Sequence, residues 1–255
     1  MVDALATQSP NPLEACTARI NSFGSRYWAF FADPDFVLGM AQAEIHKSFR
    51  RVVLDPVRGL VLLMSPARAH ERTSELAGDA IKGMASLLGI PLVSLRSARW
   101  RRRLDPPNTG AEADCCYFVG ERARAYLEAE AIAEGEADRF VLDNPPDLVV
   151  EVGVTHLDRE KTLIYQDLGV AEYWCVDRKK NDATPAVKFV SLQNQGHPEP
   201  VDASCVLPGI TPKLFEAAIR AAARELDGQD ALAGLRELML QHGAIVVPDA
   251  PGCND

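Results

Sequence analysis

Pro146-Asp147-Leu148-Val149-Val150-Glu151-Val152 is an almost continuously apolar segment with a carboxylate near its end. After it, apolar residues recur at helical spacing between Asp158 and Leu168, and Glu172 to Val176 forms a second apolar segment. Near-continuous apolar strands are typical of a sheet that is covered on both faces. The order strand, helix, strand therefore predicts an α/β or α+β fold, with a central mixed sheet flanked by helices.

The neighbouring sequence predicts further elements. Turn residues at 55–59 separate two apolar segments and indicate a β-hairpin, while Ser65-Pro66 and Gly89 delimit a long helix. Asp33-Pro34-Asp35 indicates a turn or the start of a helix. The remaining predicted strands span residues 91–95, 98–104, 115–119 and 187–192, and the remaining helices end near residue 132 or lie within residues 213–243.

The composition excludes several classes of protein. The 255 residues are 47% hydrophobic and 25% charged, as in an ordinary folded globular protein. No apolar run approaches the roughly 20 residues of a membrane helix, and the N-terminal sequence lacks the pattern of a signal peptide, so we expect a cytoplasmic protein. Six cysteines without a C-x-x-C pair are then expected to be reduced and structural.

The charge is distributed unevenly along the chain. A net charge of −9 predicts poor non-specific binding of nucleic acid. Residues 111–160 contain 13 acidic and 4 basic residues, whereas residues 1–110 are net positive. The acidic block is either a solvated face or the surroundings of a metal site.

Three polar residues form a candidate site. Glu151 lies inside the apolar strand, where a carboxylate is costly to bury without a partner. Lys161 lies on the apolar face of the following helix, and the short connection between them would bring the two groups together. Asp114 directly precedes the strand at 115–119. Each has an ordinary structural explanation (a salt bridge, a snorkelling lysine, a strand-start acid), but together they place two carboxylates on neighbouring strands beside one ammonium.

Residues 146–152, 158–161 and 165–177 resemble the Uma-type family of putative restriction endonucleases, within the PD-(D/E)XK superfamily. Weaker similarities occur in the family's order at Leu62-Leu63-Met64-Ser65-Pro66 with His70, and at Glu112-Ala113-Asp114 with Phe118-Val119. The resemblance implies a restriction-endonuclease-like nuclease core. We place this core at residues 46–215, between an N-terminal extension (1–45) and a C-terminal helical extension (216–255).

The resemblance also implies a chemistry, namely metal-dependent endonucleolytic hydrolysis of DNA. Asp114 and Glu151 would bind Mg²⁺ or Mn²⁺ with the Val152 carbonyl, and Lys161 would orient the attacking water. The lysine that commonly stands two positions after the glutamate is absent, since residue 153 is Gly, and Lys161 is taken to replace it. Val53 stands where the family often has an acid.

A DNA substrate also requires phosphate contacts. A run of arginines around Trp100 predicts a nucleic-acid-binding patch, although such runs are equally typical of a solvated strand. The candidates are Arg99, Arg101, Arg102 and Arg103. His70 and His156 are expected to line the cleft, and two-fold symmetric cutting would suit a homodimer.

Two other functions stay open at this point. The departures at Val53 and Gly153, with the overall acidity, also fit a catalytically inactive nuclease fold that serves as a binding or assembly module. The third candidate is a metal-dependent hydrolase of a substrate that is not a nucleic acid.

Overall fold

A computed structural model describes residues 18–22, 25–42, 51–65, 68–96, 98–101, 110–153, 158–177, 185–193, 197–223 and 228–247. The strands are β1 (Ala18–Ser22), β2 (Ser25–Phe31), β3 (Arg51–Asp55), β4 (Leu60–Ser65), β5 (Leu92–Arg96), β6 (Arg99–Arg101), β7 (Gly110–Glu112), β8 (Cys115–Val119), β9 (Leu148–Val152), β10 (Glu172–Asp177), β11 (Ala186–Ser191) and β12 (Glu199–Val201). The helices are α1 (Pro34–Gln42), α2 (Arg68–Leu87), α3 (Glu121–Ile132), α4 (Glu134–Asp143), α5 (Asp158–Leu168), α6 (Pro212–Ala222) and α7 (Gly228–Gln241).

The strands form two sheets of six. The first sheet has the order β1-β2-β4-β3-β7-β6 and is antiparallel. The second has the order β12-β11-β10-β9-β8-β5 and is mixed, because β9 and β10 run parallel while their neighbours pair antiparallel. The parallel pair flanks α5, so β9, α5 and β10 form the predicted strand-helix-strand unit.

The side chains of the second sheet alternate between two apolar clusters, as the period of a strand requires. On one face, Leu148, Val150 and Val152 join a first cluster with residues of α2, α6 and α7. On the other face, Val149 joins a second cluster that contains residues of α5 and also of the first sheet. Every residue of β9 is buried, so each side chain on this strand lies in one of two cores.

The predicted mixed α/β class is confirmed, and so are the hairpin, the long helix and the strand-helix-strand unit. The sequence prediction missed α4 and did not foresee that the aromatic segment at residues 25–31 forms a strand paired with β4. Asp33-Pro34 proves to be the start of α1. Within the described residues, no helix is both long and apolar enough to cross a membrane.

The adjacent Cys115 and Cys116 lie on opposite faces of β8, as the strand period requires. Cys115 lies in the first cluster and Cys116 in the second, and both are free thiols, as are Cys175 and Cys205.

Candidate active site

Glu151 lies near the carboxyl end of β9 and is only 3% exposed. It follows Val149 at the strand period, so its side chain enters the second cluster, on the face that α5 covers. A carboxylate in such a place needs strong partners, because transfer from water to an apolar core strongly disfavours the ionised form.

Residues of α5 provide these partners. Lys161 Nζ donates to Glu151 Oε2 at 2.9 Å, and the Tyr165 hydroxyl donates to Glu151 Oε1 at 2.5 Å. The two donors are four residues apart and therefore lie one turn above each other on the same helix face. The predicted proximity of Lys161 and Glu151 is confirmed. Tyr165 was not predicted as a site residue, although its spacing of four from Lys161 is a signal that could have indicated it.

Asp114 directly precedes β8, the strand that pairs with β9 on the side away from β10. Cys115 pairs with Val150, so Asp114 lies beside the end of β9, and its Oδ2 accepts a hydrogen bond from the Val152 backbone N–H at 2.5 Å. His70 of α2 places its Nε2 3.2 Å from the same oxygen. Both side chains are buried. The two carboxylates therefore belong to adjacent strands, and a backbone amide one residue after Glu151 orients Asp114.

The donor set fits a hard divalent cation. Mg²⁺ typically takes one or two protein carboxylates and completes its octahedron with water and substrate phosphate. Each carboxylate oxygen has two lone pairs, so the hydrogen bonds above leave acceptor capacity on Asp114 and Glu151. Among the described residues, no group of three or more His, Cys, Asp or Glu side chains is arranged to hold a metal. The ligand set predicted from the sequence, Asp114, Glu151 and the Val152 carbonyl, stays a prediction.

The backbone at Gly153 explains why the lysine beside Glu151 comes from α5 and not from the end of β9. Gly153 has φ of 114°, in a region that residues with a side chain rarely adopt. A lysine at this position would strain the backbone directly after β9, whereas Lys161 reaches Glu151 from the helix without this cost.

Cys116 lies in the same cluster but is unsuited to nucleophilic chemistry. Burial raises the pKa of its thiol to about 11, and the negative charge of Glu151 adds to the effect. The Trp100 indole N–H donates to Cys116 Sγ at 3.3 Å. The thiol therefore stays protonated at neutral pH, and a thiolate is not the reactive group here.

The remaining predicted residues meet different outcomes. Arg99 and Arg101 lie in β6, where Arg99 pairs with Glu112, while Arg102, Arg103 and His156 fall outside the described residues. Trp100 is buried and packs edge-on against Phe118, so its ring is not offered to a base, and the aromatic part of the predicted patch is wrong. The binding role of the arginines stays a prediction.

Comparisons with known proteins indicate the family to which the chain is related. A family model described as "Putative restriction endonuclease" (Uma2) matches residues 46–210. The chain is also similar to a crystal structure titled as a putative nuclease belonging to DUF820 from Anabaena variabilis ATCC 29413, with 13% identity over 62% of this chain and 87% of that chain, and a TM-score of 0.41. None of the curated proteins compared matches the chain.

Proposed function

The chain belongs to the Uma2 family of putative restriction endonucleases, which supports a nuclease function, and from this premise we propose that it is a Mg²⁺- or Mn²⁺-dependent endonuclease acting on DNA. The observation that carries the proposal is the pairing of Lys161 with Glu151 at 2.9 Å, beside the Asp114 carboxylate. Two carboxylates and one ammonium are costly to bury against two apolar cores, which supports a functional reason for their presence. They match the charge pattern of phosphodiester hydrolysis.

Each residue has a distinct part in this proposal. Asp114 and Glu151 would hold the divalent metal ion, whose charge would offset that of the two carboxylates as a phosphate approaches. Lys161 orients the attacking water and stabilises the charge that develops on the phosphate oxygens. Tyr165 fixes the Glu151 carboxylate, and the Val152 amide fixes Asp114. A bound Mg²⁺ would polarise the phosphate and lower the pKa of a water.

The geometry favours an oriented site over a generally acidic surface. Lys161 is 7% exposed and held between Glu151 and the second cluster, so few water molecules compete with it. Electrostatic interactions are stronger in such an environment than at the surface. A single ammonium can therefore have a large effect on the reaction rate.

The experiment combines metal dependence with a matched pair of variants. We expect the protein to cleave supercoiled plasmid with Mg²⁺ or Mn²⁺ and to lose cleavage in EDTA. Asp114→Asn should abolish cleavage, whereas Asp138→Asn, which removes an exposed carboxylate on α4, should leave it intact. Cleavage that persists in EDTA, or equal loss in both variants, would contradict the proposal.

The inactive binding module is the alternative that the sequence departures favour. Val53 is buried in the second cluster, where an acid would lack a polar environment. Calorimetric titration with Mn²⁺ separates the two functions, because a module without catalytic function has no need of a metal at Asp114 and Glu151. Competition between DNA and a small phosphodiester tests the third candidate, a hydrolase of another substrate. Cytoplasmic location and homodimer formation stay predictions.

A further inference from the structure

A charged cleft of about 870 Å³ lies between α2 and β5 and ends at Asp114. We call it the α2–β5 cleft. Its charged lining consists of the cations Arg68, Arg72, Lys82 and Arg96 and the acids Glu71, Glu75, Asp79 and Asp114. The cleft therefore connects cations, interspersed with carboxylates, to one of the two carboxylates of the candidate metal site.

The position of α2 along β8 places particular residues at the Asp114 end. His70 contacts Asp114, and the Cys115 thiol donates to the Ser74 carbonyl at 3.6 Å. Gly78 lies farther along, where an added Cβ would come within 3.3 Å of the Tyr117 hydroxyl. These three contacts follow one face of α2 at intervals of four residues, so the first turns of the helix, with Arg68 and Arg72, lie nearest to Asp114.

On the opposite wall of the cleft, Arg96 ends β5 with a strained backbone conformation. Among the described residues, Arg96 is the only non-glycine residue with a positive φ, at 52°. The pairing of β5 with β8 shifts between Ser94 and Arg96, which marks a β-bulge. The Cys116 thiol donates to the Arg96 carbonyl at 3.1 Å and holds the bulge in place.

The side chains keep the alternation of a strand through this bulge. Leu95 packs against the second cluster, whereas Ser94 and the exposed Arg96 line the cleft on the other face of the sheet. Bulges are over-represented next to active sites. Arginine in the left-handed region is uncommon and strained, and such strained residues cluster at functional sites.

The cations of the cleft differ in their ion pairing. At the far end, Lys82 is paired with Asp79 at 3.0 Å. At the Asp114 end, the exposed guanidinium groups of Arg68, Arg72 and Arg96 form no ion pair with any described residue. Planar guanidinium groups are suited to bidentate contacts with phosphate.

We propose that the α2–β5 cleft receives the sugar-phosphate backbone of DNA, and that Arg96 binds a phosphate close to Asp114. This inference rests on the proposed nuclease function and adds a surface for the substrate. That surface meets the candidate site at Asp114, whereas Glu151 and Lys161 lie on the other face of the sheet. It also assigns phosphate binding to a residue outside the run at 99–103.

The test measures binding of a fluorescein-labelled DNA duplex by anisotropy, in EDTA and over a range of salt concentrations. The slope of log K against log salt is negative, and each lost phosphate contact reduces its magnitude by about 0.9. We expect Arg96→Gln to reduce the magnitude of the slope by about this amount and the affinity by about tenfold. Arg139→Gln, which removes an equal charge from the exposed face of α4, should leave both unchanged.

A second variant separates phosphate binding from folding. Arg96→Gly removes the guanidinium and suits the positive φ, so its thermal stability should equal or exceed that of the wild type. Loss of DNA affinity at undiminished stability supports a phosphate contact. Wild-type affinity and salt slope in both Arg96 variants would overturn the proposal.

A parallel cleavage assay with Mg²⁺ distinguishes this inference from the proposed function. If the wild type cleaves DNA while the Arg96 variants retain the full salt slope, the cleft assignment fails and the nuclease function stands. If the wild type neither binds nor cleaves DNA, both fail. Tighter binding of an RNA duplex than of DNA would overturn the choice of DNA as the occupant.

Discussion

Two buried glutamates on neighbouring strands have different surroundings. Glu151 stands near the end of β9 and Glu172 begins β10, and the two strands run parallel, with Glu172 paired to Leu148 and Cys175 to Glu151. The carboxylates therefore lie at opposite ends of one strand pair. They also face opposite cores, since Glu172 shares its face with Trp174.

Glu172 accepts hydrogen bonds from neutral donors. Trp174 Nε1 donates at 2.5 Å, the backbone N–H groups of Cys205 and Val206 donate at 2.9 and 3.2 Å, and the Ser204 hydroxyl donates at 3.2 Å. These bonds tie the loop before α6 to the start of β10. Such a carboxylate is a structural anchor, because its partners belong to the fold and no second carboxylate is among them.

Glu151 instead contacts an ammonium and a phenol from one helix, next to Asp114. Both glutamates are buried, at 3% exposure for Glu151 and 0% for Glu172, so burial does not distinguish the proposed catalytic acid from the structural one. The distinguishing features are the charge of the partner and the presence of a second carboxylate on the adjacent strand. Each prediction below tests this distinction.

The largest expected effect is on catalysis. Lys161→Met keeps the length of the side chain and removes the ammonium beside Glu151. We expect the rate of DNA cleavage to fall by about 10²–10³-fold, as when a preorganised donor is removed from an active site. Single-turnover cleavage checks this value, with Lys188→Met on the exposed side of β11 as the control. A loss of less than threefold would contradict a catalytic role for Lys161.

Glu172→Ala should act on stability instead. The substitution leaves the indole and the backbone donors at 205 and 206 without their acceptor, at a cost of about 3 kcal/mol in the free energy of unfolding. Urea denaturation measures the change, and Glu128→Ala on the exposed face of α3 serves as the reference. If both variants unfold at the same urea concentration, Glu172 is not the anchor described here.

Tyr165→Phe should have a smaller effect on the site. It removes one hydrogen bond to Glu151 and leaves the Lys161 pair in place. Hydrogen bonds to charged groups contribute about 1.5–3 kcal/mol, so we expect cleavage to slow by about tenfold or somewhat more. Tyr126→Phe, at the surface of α3, provides the comparison. An unchanged rate would show that Lys161 alone fixes the carboxylate.

The smallest effect concerns the reactivity of Cys205. Burial raises the pKa of its thiol to about 12, and the thiol's hydrogen bond to Glu172 and that residue's negative charge add to the shift. The thiolate is therefore scarce at pH 8, and alkylation by iodoacetamide should be slow and rise with pH towards 12. Glu172→Gln removes the negative charge, lowers the pKa and should accelerate the reaction. Peptide-resolved mass spectrometry reads the rates, and an equal rate in both proteins would remove Glu172 from the explanation.

The sequence predicts the site better than its surroundings. The proximity of Lys161 and Glu151 is predictable because an apolar strand, a short connection and the helix period determine it locally. The contact of His70 with Asp114 joins residues 44 positions apart, and the Tyr165 bond depends on how α5 packs over β9. Local periodicity contains no information on such tertiary contacts.

The same limit applies to the first sheet and to Arg96. The strand at residues 25–31 pairs with β4 across α1 and β3, and nothing in its local sequence indicates this partner. The bulge at Arg96 arises from the register between β5 and β8. Trp100 shows the converse error, since a segment that is highly charged in sequence contains a residue of the core.

Cleavage of supercoiled plasmid in Mg²⁺ by the wild type, Glu151→Gln and Glu172→Gln tests the central claim most directly. Both variants replace a buried carboxylate by an amide of the same shape, on adjacent strands. The account predicts that Glu172→Gln cleaves at a rate close to that of the wild type once folded, whereas Glu151→Gln is inactive. Cleavage by Glu151→Gln at the wild-type rate, or equal loss in two folded variants, would contradict it.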